Sequence, residues 1–163
     1  MSTLTNEIRD ELYRLAAGAV LERNLATAAV LLDEQGLPLV YEASRVASEN
    51  NALSHADLRV IDRGCEIRKS VSLRGCTLVS VFEPSLMTLS AAYWASITAV
   101  YYYVSAEKYL AAIPWASEGI SVDEKQNIAS RFTEPVILYK QEDIDNKFEQ
   151  LCDHYIATII KKS

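Results

Sequence analysis

Cysteine and histidine are scarce in this sequence. The chain of 163 residues has three cysteines, Cys65, Cys76 and Cys152, and two histidines. An odd number of widely spaced cysteines argues against a disulfide framework and is typical of proteins that keep their thiols reduced. We therefore expect a cytoplasmic protein whose cysteines are free.

Positive charge is also in short supply. The chain has 16 lysines and arginines against 22 aspartates and glutamates, which gives a formal net charge of −6. Proteins that bind nucleic acids neutralise phosphates with clustered lysines and arginines. The charge balance therefore predicts that nucleic acid is not a partner.

The sequence has no long apolar run. Residues 1–14 carry five charged side chains, which leaves no apolar stretch of the kind found in signal peptides. The most apolar region, residues 86–104, is interrupted by serines, threonines and four tyrosines. Because a membrane-spanning helix needs about 20 consecutive apolar residues, we expect no membrane span.

What is present is the composition of a globular protein. Half of the residues are hydrophobic and 23% are charged, which is an ordinary balance for a folded domain. A chain of this length is sufficient for one well-sized core. We therefore predict a single domain over residues 1–163.

The hydrophobic pattern alternates between helical and extended segments. Helical spacing predicts helices over 5–23, from Ser54 onward, over 86–97 and over 144–160. Apolar and β-branched runs predict strands over 26–32, 37–42, 76–82, 100–104 and 136–139, with the first two joined by a turn at 33–36. This order predicts an α/β fold with a five-stranded mixed sheet and helices on both faces.

Two polar segments precede the two central helices. The first is Ser54-His55-Ala56-Asp57, in which Ser54 is the expected N-cap and Asp57 completes a capping-box-like pair. The second is Glu83-Pro84-Ser85-Leu86-Met87-Thr88, which follows a strand. Because helix N-termini present free N–H groups and the positive end of the helix dipole, they suit polar ligands and anions.

These two segments resemble the zinc motifs of the cytidine-deaminase-like superfamily. Those enzymes carry His-Ala-Glu at one helix start and Pro-Cys-x-x-Cys at the next, where the His and both Cys hold Zn²⁺ and the Glu transfers protons. The runs Ala28-Ala29-Val30 and Phe82-Glu83-Pro84 are most similar to the branch of tRNA-adenosine and guanine deaminases. The resemblance implies a three-layer α-β-α fold, a pocket between the two helix starts and a homodimer formed around residues 86–97.

Three of the four motif positions depart from the family pattern. His55 matches the family's histidine ligand, whereas Asp57 replaces the glutamate, and Ser85 and Thr88 replace the two cysteines. Neutral hydroxyls are poor zinc ligands. The shorter Asp57 also withdraws the carboxylate, and a displacement of about 1 Å can lower a rate by roughly 100-fold. We therefore expect no zinc and no ordinary zinc-dependent deamination.

The chain's own cysteines do not offer substitutes for the lost ligands. Cys65 lies ten residues beyond His55 on the same predicted helix, about 15 Å along its axis. Cys76 precedes Pro84 by eight residues on a strand, about 26 Å away. We therefore assign no metal ligands.

The predicted site contains two candidate catalytic residues and four pocket residues. They are His55 and Asp57 as the catalytic pair, with Glu83, Ser85, Thr88 and Trp115 lining the pocket. A purely structural interpretation is also open, in which His55 and Asp57 only begin one helix and Ser85 and Thr88 only cap the next.

Three functional hypotheses follow from this site. The first is a pseudoenzyme that keeps the deaminase fold to bind a small nucleobase-like molecule or a partner protein. The second is an active enzyme with an atypical site that uses His55 and Asp57, either a nucleobase or nucleoside deaminase with an unusual metal site or another hydrolase in which His55 is the base and Asp57 orients it. The third is a non-catalytic subunit of an active deaminase.

Overall fold

Helices and strands alternate along the chain in the computed structural model, which describes residues 4–113 and 118–161. The α-helices are α1 (Asn6–Leu21), α2 (Ala56–Arg68), α3 (Leu86–Trp94), α4 (Val122–Ala129) and α5 (Lys147–Tyr155). The strands are β1 (Ala28–Leu32), β2 (Pro38–Ala43), β3 (Thr77–Phe82), β4 (Ala99–Val104) and β5 (Ile137–Lys140). A short 3₁₀ helix covers Glu107–Tyr109, and α5 continues as a π-helical segment over Ile156–Ile160.

The five strands form one mixed sheet in the order β2-β1-β3-β4-β5. Strand β1 is antiparallel to both of its neighbours, whereas β3, β4 and β5 run parallel. Parallel neighbours need a crossover connection, and helices α3 and α4 lie in the two crossovers that join these strands. The predicted five-stranded mixed sheet is confirmed.

Helices cover both faces of this sheet. Successive side chains of a strand point to opposite faces, so β3 contributes to two separate hydrophobic clusters. Val79 packs with residues of α1 and α5 such as Leu12 and Phe148. Leu78 packs on the other face with residues of α2 and α3 such as Val60 and Leu89. The predicted three-layer arrangement is confirmed.

The turn between β1 and β2 forms where the sequence predicts it. The Asp33 carboxylate accepts hydrogen bonds from the backbone N–H groups of Gln35, at 2.9 Å, and Leu37, at 2.8 Å. Gly36 has a φ of 80°, a left-handed conformation that glycine adopts without steric cost. Asp33 therefore holds the turn that sets the register of the hairpin.

The predicted capping box at the start of α2 is wrong. The N-cap is His55, which makes no side-chain cap hydrogen bond. The Ser54 hydroxyl donates to Glu49 at 2.6 Å instead. Asp57 lies in the first turn of the helix and is buried, so its carboxyl group faces the protein interior and is not available to cap α2.

The apolar region that follows β3 forms a shorter helix than predicted. Helix α3 ends at Trp94, and Ser96 takes a left-handed φ of 61°, which turns the chain toward β4. Thr88, Leu89 and Ala92 are its buried residues. No helix within the described ranges has both the length and the apolar character needed to cross a bilayer.

Helix α4 was not predicted, because its stretch of sequence lacks a clear apolar period. Its sequence signal is a capping box: the Ser121 hydroxyl accepts from the Glu124 N–H, and the Glu124 carboxylate accepts from the Ser121 N–H. The last helix also begins later than predicted, at Lys147. The Asp143 carboxylate accepts from the N–H groups of Phe148 and Glu149 there.

Replacing Val81 with alanine tests the central position of β3. Val81 is fully buried in the cluster that faces α1 and α5. We expect Val81→Ala to lower the free energy of unfolding by about 1–3 kcal/mol, because methyl burial is lost and a cavity remains. Val71→Ala is the matched control, since Val71 is 84% exposed. Equal losses for both variants in urea unfolding would contradict the assignment.

Candidate functional site

The predicted site residues meet where β3 ends and two helices begin. Strand β3 leads through Glu83 and Pro84 into α3, and the start of α2 lies beside this connection. Together they surround a small cavity of about 20 Å³. Its lining includes the predicted residues His55, Asp57, Glu83, Ser85 and Thr88, together with Leu25, Thr27, Ala56 and Phe82. Trp115, the remaining predicted pocket residue, lies outside the described residues.

Hydrogen bonds connect the three residues that depart from the zinc motif. Thr88 Oγ1 donates to Asp57 Oδ2 at 3.1 Å. The hydroxyls of Ser85 and Thr88 are 3.2 Å apart. Because the single hydroxyl hydrogen of Thr88 is directed to Asp57, Ser85 is the donor of the second bond. The resulting Ser85–Thr88–Asp57 chain joins the start of α3 to the start of α2.

Ser85 has a second role as the N-cap of α3. Its Oγ accepts a hydrogen bond from the Thr88 N–H at 3.2 Å, which satisfies one of the unpaired N–H groups of the first turn. This confirms the structural interpretation of Ser85 as a cap. The hydroxyl therefore acts as acceptor toward the backbone and donor toward the Thr88 side chain at the same time.

Asp57 is a buried carboxyl group with one unpaired oxygen. It is only 8% exposed, and its Oδ1 and the neighbouring Ser80 Oγ both lack a hydrogen bond of normal geometry. Burial raises the pKa of Asp57, and the nearby hydroxyls of Ser80 and Thr88 and the charge of His55 act in the opposite direction. A cavity of about 20 Å³ is large enough for one water molecule, and the unpaired Asp57 Oδ1 would be a polar partner for it.

His55 stands at the rim of the cavity. It is half-buried and precedes α2 as the N-cap residue. Within the described ranges, no side chain or backbone group forms a hydrogen bond with its imidazole. The ring therefore differs from the three hydrogen-bonded side chains beside it.

A buried ion pair that the sequence does not predict holds Glu83, one of the residues that line the site. Lys125 of α4 has 0% exposure, and its Nζ donates to Glu83 Oε1 at 2.7 Å and to the Pro84 carbonyl at 3.2 Å. Glu83 Oε2 accepts from the Ala106 N–H at 3.0 Å. Glu83 thus ties α4 and the segment after β4 to the residues that precede Ser85.

The side chains at the zinc-motif positions offer a poor set of metal donors. Zinc sites in proteins use three or four ligands drawn from thiolate, imidazole and carboxylate groups. Here His55 and Asp57 are the only groups of these types among the four positions, and the two hydroxyls already bind each other and Asp57. No cluster of three or more His, Cys, Asp or Glu suited to a metal ion occurs within residues 4–113 and 118–161.

Comparison with known families identifies the class of protein that this fold and site represent. The family described as "Cytidine and deoxycytidylate deaminase zinc-binding region" matches residues 5–104, which is more than half of the chain. The protein therefore belongs to this family. The resemblance stated from the two motif segments is confirmed.

Individual relatives agree with this assignment. The guanine deaminase of Bacillus subtilis is 34% identical over 59 residues, a match that spans 36% of this chain and 38% of that protein. A solved structure from work on A-to-I editing by tRNA:A34 deaminases covers 90% of this chain and 99% of its own, with a TM-score of 0.74 and 19% identity. The match to the solved structure of the guanine deaminase from Nitrosomonas europaea covers 96% of this chain and 87% of that one, with a TM-score of 0.74 and 17% identity. At such identities the two structures establish the shared fold.

Removing the Thr88 hydroxyl tests the link between the two helices. Thr88→Val keeps the shape of the side chain but leaves Asp57 Oδ2 and the Ser85 hydroxyl without their partner. We expect a loss of about 1–3 kcal/mol in the free energy of unfolding, since buried polar groups are costly when unpaired. Thr98→Val, at an exposed position, should change it little. Indistinguishable urea midpoints for the two variants would show that the Ser85–Thr88–Asp57 hydrogen bonds are not formed.

Proposed function

We propose that this protein is a non-catalytic member of the deaminase family, which keeps the fold but has lost the zinc site. The observation that carries the proposal is the Ser85–Thr88–Asp57 hydrogen-bond chain. These are the positions at which the resemblance implies two zinc-binding cysteines and a proton-transferring glutamate. In this protein the three side chains are hydrogen-bonded to one another.

The chemistry of the family explains why this exchange removes activity. In the zinc-dependent enzymes the metal activates a water molecule for attack on the base, and the glutamate transfers protons. In this chain Asp57 Oδ2 accepts from Thr88, and its carboxylate is shorter than that of glutamate. His55 alone retains the family's ligand type, and one imidazole does not constitute a zinc site.

The size of the cavity also supports a non-catalytic role. The space between the two helix starts is about 20 Å³ as bounded by the described residues, whereas small-molecule pockets commonly have volumes of about 300–1,000 Å³. The relatives named guanine deaminases act on a purine base. We propose that the corresponding nucleobase site is closed in this chain and holds a water molecule at most.

Zinc content tests this proposal directly. Wild-type protein purified without chelator should carry well under one equivalent of zinc. The double variant Ser85→Cys/Thr88→Cys should bind zinc near stoichiometrically, because it restores a His-Cys-Cys set. Its melting temperature should rise with added zinc, since a ligand that binds only the folded state stabilises it.

A matched control separates a restored site from added thiols. Ser90→Cys/Thr98→Cys places two cysteines at exposed positions outside the site and should not gain the same zinc-dependent stabilisation. One zinc per wild-type chain, or release of ammonia from guanine by wild-type protein, would contradict the proposal. A folded Ser85→Cys/Thr88→Cys variant without zinc would show that the positions do not converge on a metal.

The surface of α3 favours a partner protein, and we propose that the partner is a second copy of this chain. Trp94 is 81% exposed at the end of α3. Its neighbour Tyr93 contacts the Trp94 ring at a centroid distance of 6.0 Å and the Phe132 ring at 4.8 Å. Exposed aromatic groups of this kind mark interaction surfaces. The family resemblance implies a homodimer in this region of the chain.

A charged residue at position 94 tests the dimer. Trp94→Glu should convert a wild-type dimer to monomer in light scattering at micromolar concentration, because it places an unpaired charge in the interface. Leu21→Glu is the control, since Leu21 is an isolated apolar side chain that is 87% exposed at the end of α1. A monomeric wild-type protein, or dissociation by both variants alike, would contradict the proposed interface.

A further inference from the structure

A second cavity, far larger than the first, lies at the opposite end of β3. Its volume is about 480 Å³, which is within the range of small-molecule sites. Thr77 at the start of β3 lines the second cavity, whereas Phe82 at the end of β3 lines the candidate site. Thr77 and Phe82 are about 16 Å apart along the strand at 3.3 Å per residue. The second cavity is therefore independent of the zinc-motif residues.

The interior of this cavity combines apolar walls with an aromatic side chain. Leu4 just before α1, Ile8 in its first turn and Leu32 at the end of β1 form apolar walls. Tyr101 of β4 also lines the cavity, and its ring stacks on Tyr139 with a centroid distance of 4.8 Å and an interplanar angle of 21°. Stacking of this kind holds the Tyr101 ring in a fixed orientation, and such a surface favours a flat, apolar ligand body.

The charge of the cavity is negative. Asp33 and Glu34 line it, and its described lining includes no lysine, arginine or histidine. Glu34 is neutralised from outside the cavity, because its Oε2 pairs with Arg68 Nη2 at 2.6 Å. Arg68 also attracts Asp33 at longer range, but one arginine beside two carboxylates leaves one negative charge in excess. A net negative potential of this kind disfavours phosphates and carboxylates and favours cations.

The position of the Asp33 carboxylate is fixed before any ligand binds. Its Oδ1 accepts from two backbone N–H groups of the turn. Its Oδ2 makes no hydrogen bond within the described part of the chain and is available to a ligand. A pre-ordered acceptor loses little conformational entropy on binding, and cations also interact favourably with the faces of aromatic rings.

We propose that this cavity binds a small organic cation with a flat, apolar body. The body packs against Leu32 and Tyr101, and the cationic N–H groups face Asp33. No zinc ion and no residue of the deaminase motifs takes part. The outcome is therefore independent of whether the chain is catalytic.

Three probes of the same shape test the charge preference. Benzamidine is a flat cation, benzamide is its neutral analogue, and benzoate is the corresponding anion. In NMR titrations of the full chain, benzamidine should bind saturably, at least about tenfold more tightly than benzoate, with benzamide between them. Amide shifts should be largest at Asp33, Thr77 and Tyr101. No saturable benzamidine binding, equal benzoate binding or shifts confined to the zinc-motif segments would overturn the proposal.

A charge-removing variant tests the role assigned to Asp33. Asp33→Asn keeps an oxygen that can accept the turn hydrogen bonds but lacks the charge, so benzamidine affinity should fall by about tenfold and approach that of benzamide. Asp62→Asn, at an exposed position on α2, is the control and should bind as wild type does. If Asp33→Asn folds, as judged by its amide spectrum, and binds benzamidine unchanged, the proposal is wrong. If it does not fold, the comparison of the three probes on wild-type protein decides.

Discussion

The hydrogen bond from Thr88 to Asp57 joins the starts of two helices that pack on one face of the sheet. Each helix start is delivered by a different part of the chain, α3 by β3 and α2 by the segment after β2. A cross-link at this point fixes the two helices relative to one another. In the zinc-dependent relatives the resemblance assigns this cross-link to a metal ion and three ligands. Here three neutral or singly charged side chains connect the same positions.

The Glu83–Lys125 pair extends the same constraint to the carboxyl end of the sheet. Taking both charges out of water is costly, and only close geometry with further hydrogen bonds offsets that cost. Here Pro84 and Ala106 supply those additional bonds. The pair therefore fixes the direction in which Glu83 and Pro84 lead into Ser85, and it couples α4 to that connection.

Local patterns in the sequence predict most of the fold. Alternation and β-branched residues indicate each strand of the sheet, and Asp33 with Gly36 indicates the turn of the hairpin. The two motif segments also identify the family and the polar residues His55, Asp57, Glu83, Ser85 and Thr88 of the small cavity. These features depend on neighbouring residues or on short motifs, which is why they can be recognised without a structure.

The features that could not be predicted depend on long-range contacts. Lys125 is fully buried because it meets Glu83, 42 residues away in sequence, and no local pattern indicates a buried lysine. Ser54 has the residue type of an N-cap, but Glu49 competes for its hydroxyl. The larger cavity brings together α1, the β1–β2 turn, β3 and β4, and neither its shape nor the partial neutralisation of its carboxylates by Arg68 is evident from a local segment.

We propose that hydrogen-bonded hydroxyls have replaced the metal of the deaminase family in this protein. X-ray diffraction from crystals grown with zinc, measured on both sides of the zinc absorption edge, would locate any bound metal ion. We expect no anomalous peak between His55, Ser85 and Thr88, and we expect the hydroxyls of Ser85 and Thr88 and the Asp57 carboxylate to be linked by hydrogen bonds. An anomalous peak bonded to His55 at this position would contradict it.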